Sequence, residues 1–198
     1  MSYSIPTQQA IAEIEIKKSR FIAYAQHIKT REQGMQWLEA IKKQYPDARH
    51  HCWAYLLGNP NCASNAGMGD DGEPSGTAGK PILNVLQHKL VGDIMIIVVR
   101  YFGGIKLGAG GLTRAYGQAA QSVMEILPTE QQIEKVDLLV TCDFAKEQFV
   151  RHLVNLHEGE INEIQYTSQV TIQINLPKIN IDELKKSLLA NQCQILEA

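Results

Sequence analysis

Residues 79–111, GKPILNVLQHKLVGDIMIIVVRYFGGIKLGAGG, hold an apolar run from Ile94 to Val99 that ends in Arg100, Tyr101 and Phe102, followed by five glycines within nine residues. The run predicts a central buried strand over 93–101. A cationic side chain at the end of such a strand is costly unless it finds partners. Glycine gives up more conformational freedom on folding than any other residue. A chain that tolerates both is expected to present backbone N–H groups to a ligand. From Leu112 the apolar positions Leu112, Ala115, Tyr116, Ala119, Ala120, Val123 and Leu127 fit one face of a helix, which Pro128 ends. A helix N-terminus preceded by free N–H groups attracts phosphate or carboxylate. The anion-site candidates are therefore Gly103, Gly104, Gly108, Gly110 and Gly111 for the backbone, and Lys80, Arg100, Lys106 and Arg114 for charge. The alternative stays open that the glycines only permit tight turns and close packing, with the cations solvated.

Standard nucleotide motifs are excluded. A phosphate-binding loop ending at Gly79-Lys80 needs glycine where Pro74 stands and Ser or Thr where Pro81 stands. Gly108-Ala109-Gly110-Gly111 has its later glycine one place early for a dinucleotide fingerprint, and no acidic residue follows at the usual distance.

Working outward, Ala12, Ile14 and Ile16 alternate with Glu13, Glu15 and Lys17 as a half-buried strand over 10–17, with 21–28 as its hairpin partner. Thr30 with Gln33 reads as a capping box opening a helix through about Tyr45, before Pro46. A third strand is expected over 51–57. Residues 58–81, with six glycines and three prolines, read as a long loop, functional or mobile. A short helix is expected over 81–88. Beyond the polar linker PTEQQIEK, 128–135, the pattern gives strand, helix, two strands, helix, strand, with Asn180 as the cap of the second helix. That βαββαβ order is the ferredoxin-like unit. The fold class is thus α+β in two domains, 1–130 and 135–198.

Composition narrows the function classes. The chain has 198 residues, 44% hydrophobic and 20% charged, as expected of a soluble globular protein, and no run approaches a membrane span. The N-terminus lacks a basic start followed by an apolar run, so a cytoplasmic location is expected and no membrane partner. Cys52, Cys62, Cys142 and Cys193 are scattered without zinc or redox spacing and are expected to be reduced. Residues 1–136 carry 14 Lys/Arg against 12 Asp/Glu, and residues 137–198 carry 5 against 9. If a nucleic acid is the partner, the first part is the better candidate.

No catalytic residues, metal ligands or cofactor are assigned. Asp70, Asp71 and Glu73, with Ser75 and Thr77, are loop candidates, but adjacent carboxylates in a Gly/Pro-rich loop read first as a solvated turn. Ser75 is not in a GxSxG elbow. His50 and His51 read as edge-of-core histidines, since no second cluster lies at metal spacing.

One resemblance gathers these residues. Gly79, Ile82-Leu83, Leu86, Val91, Ile97-Val98, Arg100-Tyr101-Phe102-Gly103-Gly104 and Leu107-Gly108 match a long signature; DDGEPSGTAGKP (70–81), Gly110-Gly111-Leu112, Arg114 and Tyr116 match further blocks. The chain resembles the IMPACT family in its bacterial YigZ-type form, over residues 1–130 and again in the tail. The resemblance implies an N-terminal domain similar to the fourth domain of elongation factor G, and a C-terminal domain similar to its fifth. It implies binding to RNA or the ribosome. Eukaryotic relatives regulate translation under amino-acid starvation by competing for a scaffold that activates a kinase. They carry a different accessory domain, so that scaffold role does not transfer. The expectation is a cytoplasmic, non-catalytic binding protein linked to regulation of translation. The rivals are an enzyme acting on a small phosphorylated or carboxylated substrate through Glu73, Ser75 and a histidine, and a protein-interaction module using the ferredoxin-like sheet face.

Overall fold

Alternating apolar positions and turn residues set the order of elements in the computed structural model, which describes residues 2–197. Met1 and Ala198, the outer ends of the two expected domains, lie outside the described residues. The chain divides into two units, Ser2–Gln132 and residues from 133 onward.

The first unit runs β1 (Tyr3–Pro6), β2 (Ala10–Ile16), β3 (Ser19–His27), α1 (Arg31–Gln44), β4 (His50–Leu57), β5 (Asn65–Gly69), α2 (Gly79–Lys89), β6 (Ile94–Tyr101), α3 (Ala109–Ile126) and β7 (Thr129–Gln132). Its main sheet is antiparallel in the order β2-β3-β6-β4-β5. Strand β6 lies at the centre, buried from Ile94 to Arg100. Because side chains alternate across a sheet, Ile94, Ile96 and Val98 join the core under α2 and α3, while Met95, Ile97 and Val99 join the core with Leu38 and Ile41 of α1. Ala23, Ala25, Ala54, Ala115, Ala119 and Ala120, all buried in the first of these cores, keep side-chain bulk low there.

The capping box is present with a one-residue offset. Thr30 Oγ1 accepts from Gln33 N at 3.2 Å, and Gln33 Oε1 accepts from Lys29 N at 2.8 Å. Three expectations for this unit need correction. The long loop contains β5, paired with β4, and its glycines serve that pairing: a Cβ on Gly67 or Gly69 would lie 2.7 or 2.6 Å from the rings of Tyr55 or Trp53. Residues 129–132, expected as linker, form β7 against β1. Helix α3 opens at Ala109, three residues early, taking Gly110 and Gly111 into its first turn.

The second unit runs β8 (Lys135–Cys142), α4 (Glu147–Leu156), β9 (Glu160–Tyr166), β10 (Val170–Pro177), α5 (Ile181–Ala190) and β11 (Gln194–Glu197). Its sheet is antiparallel in the order β11-β8-β10-β9. Leu138, Val140, Ile172, Ile174, Val150, Leu184 and Leu188 fill its core. Asn180 makes no side-chain cap; its Nδ2 donates to His157 O at 2.9 Å instead. Among the described residues no helix is long and apolar enough to cross a membrane.

Candidate anion-binding site

Strand β6 carries its apolar face as far as Val98, and Arg100 occupies the next position on the same side. Register places Arg100 between Phe21 of β3 and His50 of β4. The guanidinium carbon lies 5.6 Å from the Phe21 ring centroid and 5.7 Å from that of Phe102, so one cation lies close to two aromatic rings. Its Nη1 donates to Glu73 Oε1 at 2.6 Å, and Tyr116 Oη donates to the same oxygen at 2.8 Å. The side chains of Arg100 and Glu73 are 7% and 4% exposed, so this ion pair is shielded from water. Arg100 Nε is buried with no hydrogen-bond partner. A buried donor without a partner on a charged group is uncommon and costs stability.

The loop carrying Glu73 is braced by its other acidic residues. Asp70 Oδ1 accepts from Ala78 N at 3.0 Å and Gly79 N at 2.8 Å, and Asp70 Oδ2 from Gly76 N at 2.8 Å. Burial pushes the Asp70 carboxyl up, but the three N–H bonds outweigh it and hold it below the usual carboxylate range. Asp71 Oδ2 accepts from His51 N at 2.7 Å, and Thr77 Oγ1 donates to Pro74 O at 2.6 Å. The solvated-turn reading of these residues is therefore corrected: Asp70 and Asp71 organise the loop, and Glu73 is buried beneath Arg100. Ser75 is exposed and bonds to neither Glu73 nor a histidine.

The two histidines point to opposite faces of β4. His50 Nε2 lies 4.0 Å from Glu73 Oε1, on the Arg100 side. His51 is buried on the other face, with Nε2 3.2 Å from Tyr45 O. Among the described residues no group of three or more His, Cys, Asp or Glu is placed to hold a metal ion. Burial pushes the Cys52 thiol and the Tyr116 phenol well above their ordinary values, so both stay protonated beside Glu73.

A cavity of about 350 Å³ opens beside Arg100, lined also by Arg49, His50, Glu73, Phe102 and Lys106 and by the Gly108–Ala109 entry to α3. The first helical bond of α3 runs from Leu112 N to Gly108 O at 2.9 Å. The N–H groups of Ala109, Gly110 and Gly111 precede it and point from the positive end of an 18-residue helix. Gly108 has φ +72° and Gly104 φ +86°, conformations that favour glycine and turn the chain from β6 into α3. Of the expected residues, Arg100, Lys106 and Gly108 line the cavity. Arg114 folds back along α3, its Nη1 3.9 Å from where a Cβ on Gly110 would stand. Gly103 belongs to packing: its N–H donates to Ser19 Oγ at 3.2 Å, and a Cβ there would lie 2.0 Å from Lys18 backbone. Lys80 is exposed in the first turn of α2, outside the cavity lining. Arg49, Phe102 and Tyr116 were not singled out for this site. The position of Arg49 next to His50, at the start of a strand paired with Arg100, is the signal that would have found it.

Comparison with known proteins shows the family. The Impact N-terminal domain model matches residues 17–124, and a domain of unknown function, DUF1949, matches residues 140–191. An IMPACT family member of Haemophilus influenzae is 38% identical over 94% of this chain and 90% of its own length. The IMPACT family member YigZ of Escherichia coli is 36% identical over 94% of this chain and 92% of its own. The crystal structure of a hypothetical protein superposes with a TM-score of 0.72 at 34% identity, spanning all of this chain and 97% of that one. Matched in its first domain, in its tail and over almost its whole length, the chain belongs to the IMPACT family.

Proposed function

We propose that this protein is a non-catalytic, cytoplasmic binding protein that associates with RNA or the ribosome and acts in the regulation of translation. One observation carries the reading: Arg49, Arg100 and Lys106 line one cavity together with the Gly108–Ala109 entry to α3. Phosphate suits this place, because it accepts from cationic side chains and from backbone N–H groups at once. Lys106 and Arg114 extend the positive surface, and Gly108, Gly110 and Gly111 leave the backbone bare. Phosphate contacts of this kind give affinity without sequence choice. Family membership supports the link to translation, since the resemblance implies that eukaryotic members are regulators of it. The finer fold assignments belong to the same reading. The antiparallel order β11-β8-β10-β9 supports a ferredoxin-like second domain, similar to the fifth domain of elongation factor G, and the first domain is read as similar to the fourth.

The enzyme reading draws support only from the approach of His50 to Glu73, since Glu73 Oε1 is already engaged by Arg100 and Tyr116 and Ser75 lies apart. Crosslinking in cells tests the binding reading, comparing the intact protein with a Lys106→Ala/Arg114→Ala variant. RNA or ribosome recovery that falls in the variant supports it; equal recovery from both contradicts it.

A further inference from the structure

We propose that the cavity beside Arg100 takes a terminal phosphomonoester, one phosphate dianion joined to one nucleoside, rather than a diester from within a chain. The proposal rests on the RNA reading above and sharpens its ligand. Three observations carry it. The first is charge: Arg49, Arg100 and Lys106 against Glu73 leave the lining at +2, to which the N-terminus of α3 adds its positive end. An internal diester carries one negative charge, whereas a monoester carries close to two at neutral pH. Glu73 is already paired with Arg100, so Arg49, Lys106 and the helix N-terminus remain to be neutralised, a demand that a dianion meets and a monoanion meets only in part.

The second is size. A volume of about 350 Å³ is at the small end for ligand cavities and has room for one nucleotide. The third is the body of the ligand. Phe102 is 47% exposed and lines the cavity with Pro74, Leu107 and Leu112, which gives a base an aromatic ring to stack on and an apolar wall beside it. Phosphate at the helix N-terminus and base against Phe102 use the whole lining.

A free nucleoside monophosphate and the phosphorylated end of an RNA share this chemistry, and the test separates them. Fluorescence anisotropy with the full-length protein compares a short single-stranded RNA carrying a 5′-phosphate, a 3′-phosphate or hydroxyls at both ends, with uridine monophosphate and uridine as competitors. The expected result is affinity about ten-fold higher for one phosphorylated end, the scale of one added charge-assisted hydrogen bond. Uridine monophosphate then displaces that RNA and uridine does not, and Lys106→Ala reduces the end preference. Equal affinity for all three RNAs, with no displacement by the monophosphate, overturns the inference and leaves RNA binding standing. Binding of the monophosphate without any RNA upholds the pocket chemistry and overturns the RNA reading. No binding by any of them overturns both.

Discussion

Replacing Glu73 by glutamine separates the two roles of the buried pair. The carboxylate is 4% exposed and accepts from Arg100 at 2.6 Å and Tyr116 at 2.8 Å. Removing one member of a buried ion pair costs about 3–5 kcal/mol, because the other charge stays desolvated without a partner. Glutamine keeps an acceptor, so Glu73→Gln belongs near the lower end. The first unit, Ser2–Gln132, has 131 residues. At about 2.1 cal/mol/K of unfolding entropy per residue, 3 kcal/mol lowers its Tm by about 11 °C. Both tryptophans of the chain, Trp37 and Trp53, lie in this unit, so their fluorescence reports its melting alone. The same substitution raises the lining charge from +2 to +3. Inorganic phosphate therefore raises the Tm of the variant more than that of the unchanged protein, since a ligand held by the native state stabilises it by mass action. A Tm drop under about 3 °C, or a phosphate response no larger than in the unchanged protein, would show that Arg100 does not depend on Glu73 as argued. A Glu73→Leu/Arg100→Met double variant, which removes both charges, is expected to be more stable than Glu73→Leu alone.

Other perturbations test the surrounding frame. Gly103→Ala forces a Cβ to within 2.0 Å of Lys18 backbone and is expected to cost more stability than Gly104→Ala, where space is open and only the φ of +86° is strained; urea titration compares them. Asp70 has a lowered folded-state pKa, so its contribution is fully present above the unfolded value of about 3.9 and is lost as pH falls through the folded value. The stability gap between the unchanged protein and Asp70→Asn should hold constant from about pH 7 to 5 and narrow below about pH 4. Cys62 is exposed, whereas Cys52, Cys142 and Cys193 are buried and burial raises their thiol pKa. A thiol reagent should label one cysteine rapidly in the native protein and all four in denaturant; rapid labelling of Cys52 would contradict the packing described for it.

Local pattern carried most of the fold. Strand β6, the α3 stripe, the Thr30 cap and the βαββαβ order of the second unit follow from periodicity that neighbouring residues impose on one another. What escaped lacked such a signal. Strand β5 is Asn65–Gly69, whose glycines look like loop and are glycines because the rings of Tyr55 and Trp53 lie against them. Strands β1 and β7 have four residues each, and every residue of β7 is exposed, so only their pairing makes them strands. In the site, Arg100 and the glycines were legible as a costly combination. Their partner was not: Glu73 lies 27 residues away in sequence and reaches Arg100 only because Asp70 folds the intervening loop. Adjacent acids on a turn look alike in sequence whether they face water or brace a backbone.

The central claim is that phosphates meet the positive surface where β6 passes into α3, and the salt dependence of RNA affinity tests it most directly. Lys106 and Arg114 are exposed, so their loss leaves the core unchanged. For single-stranded RNA, each lost phosphate contact reduces the slope of log affinity against log salt by about 0.7. Lys106→Ala/Arg114→Ala should therefore bind more weakly at low salt, with a slope shallower by about 1.4. An affinity and slope equal to those of the unchanged protein would place the RNA elsewhere and contradict the account.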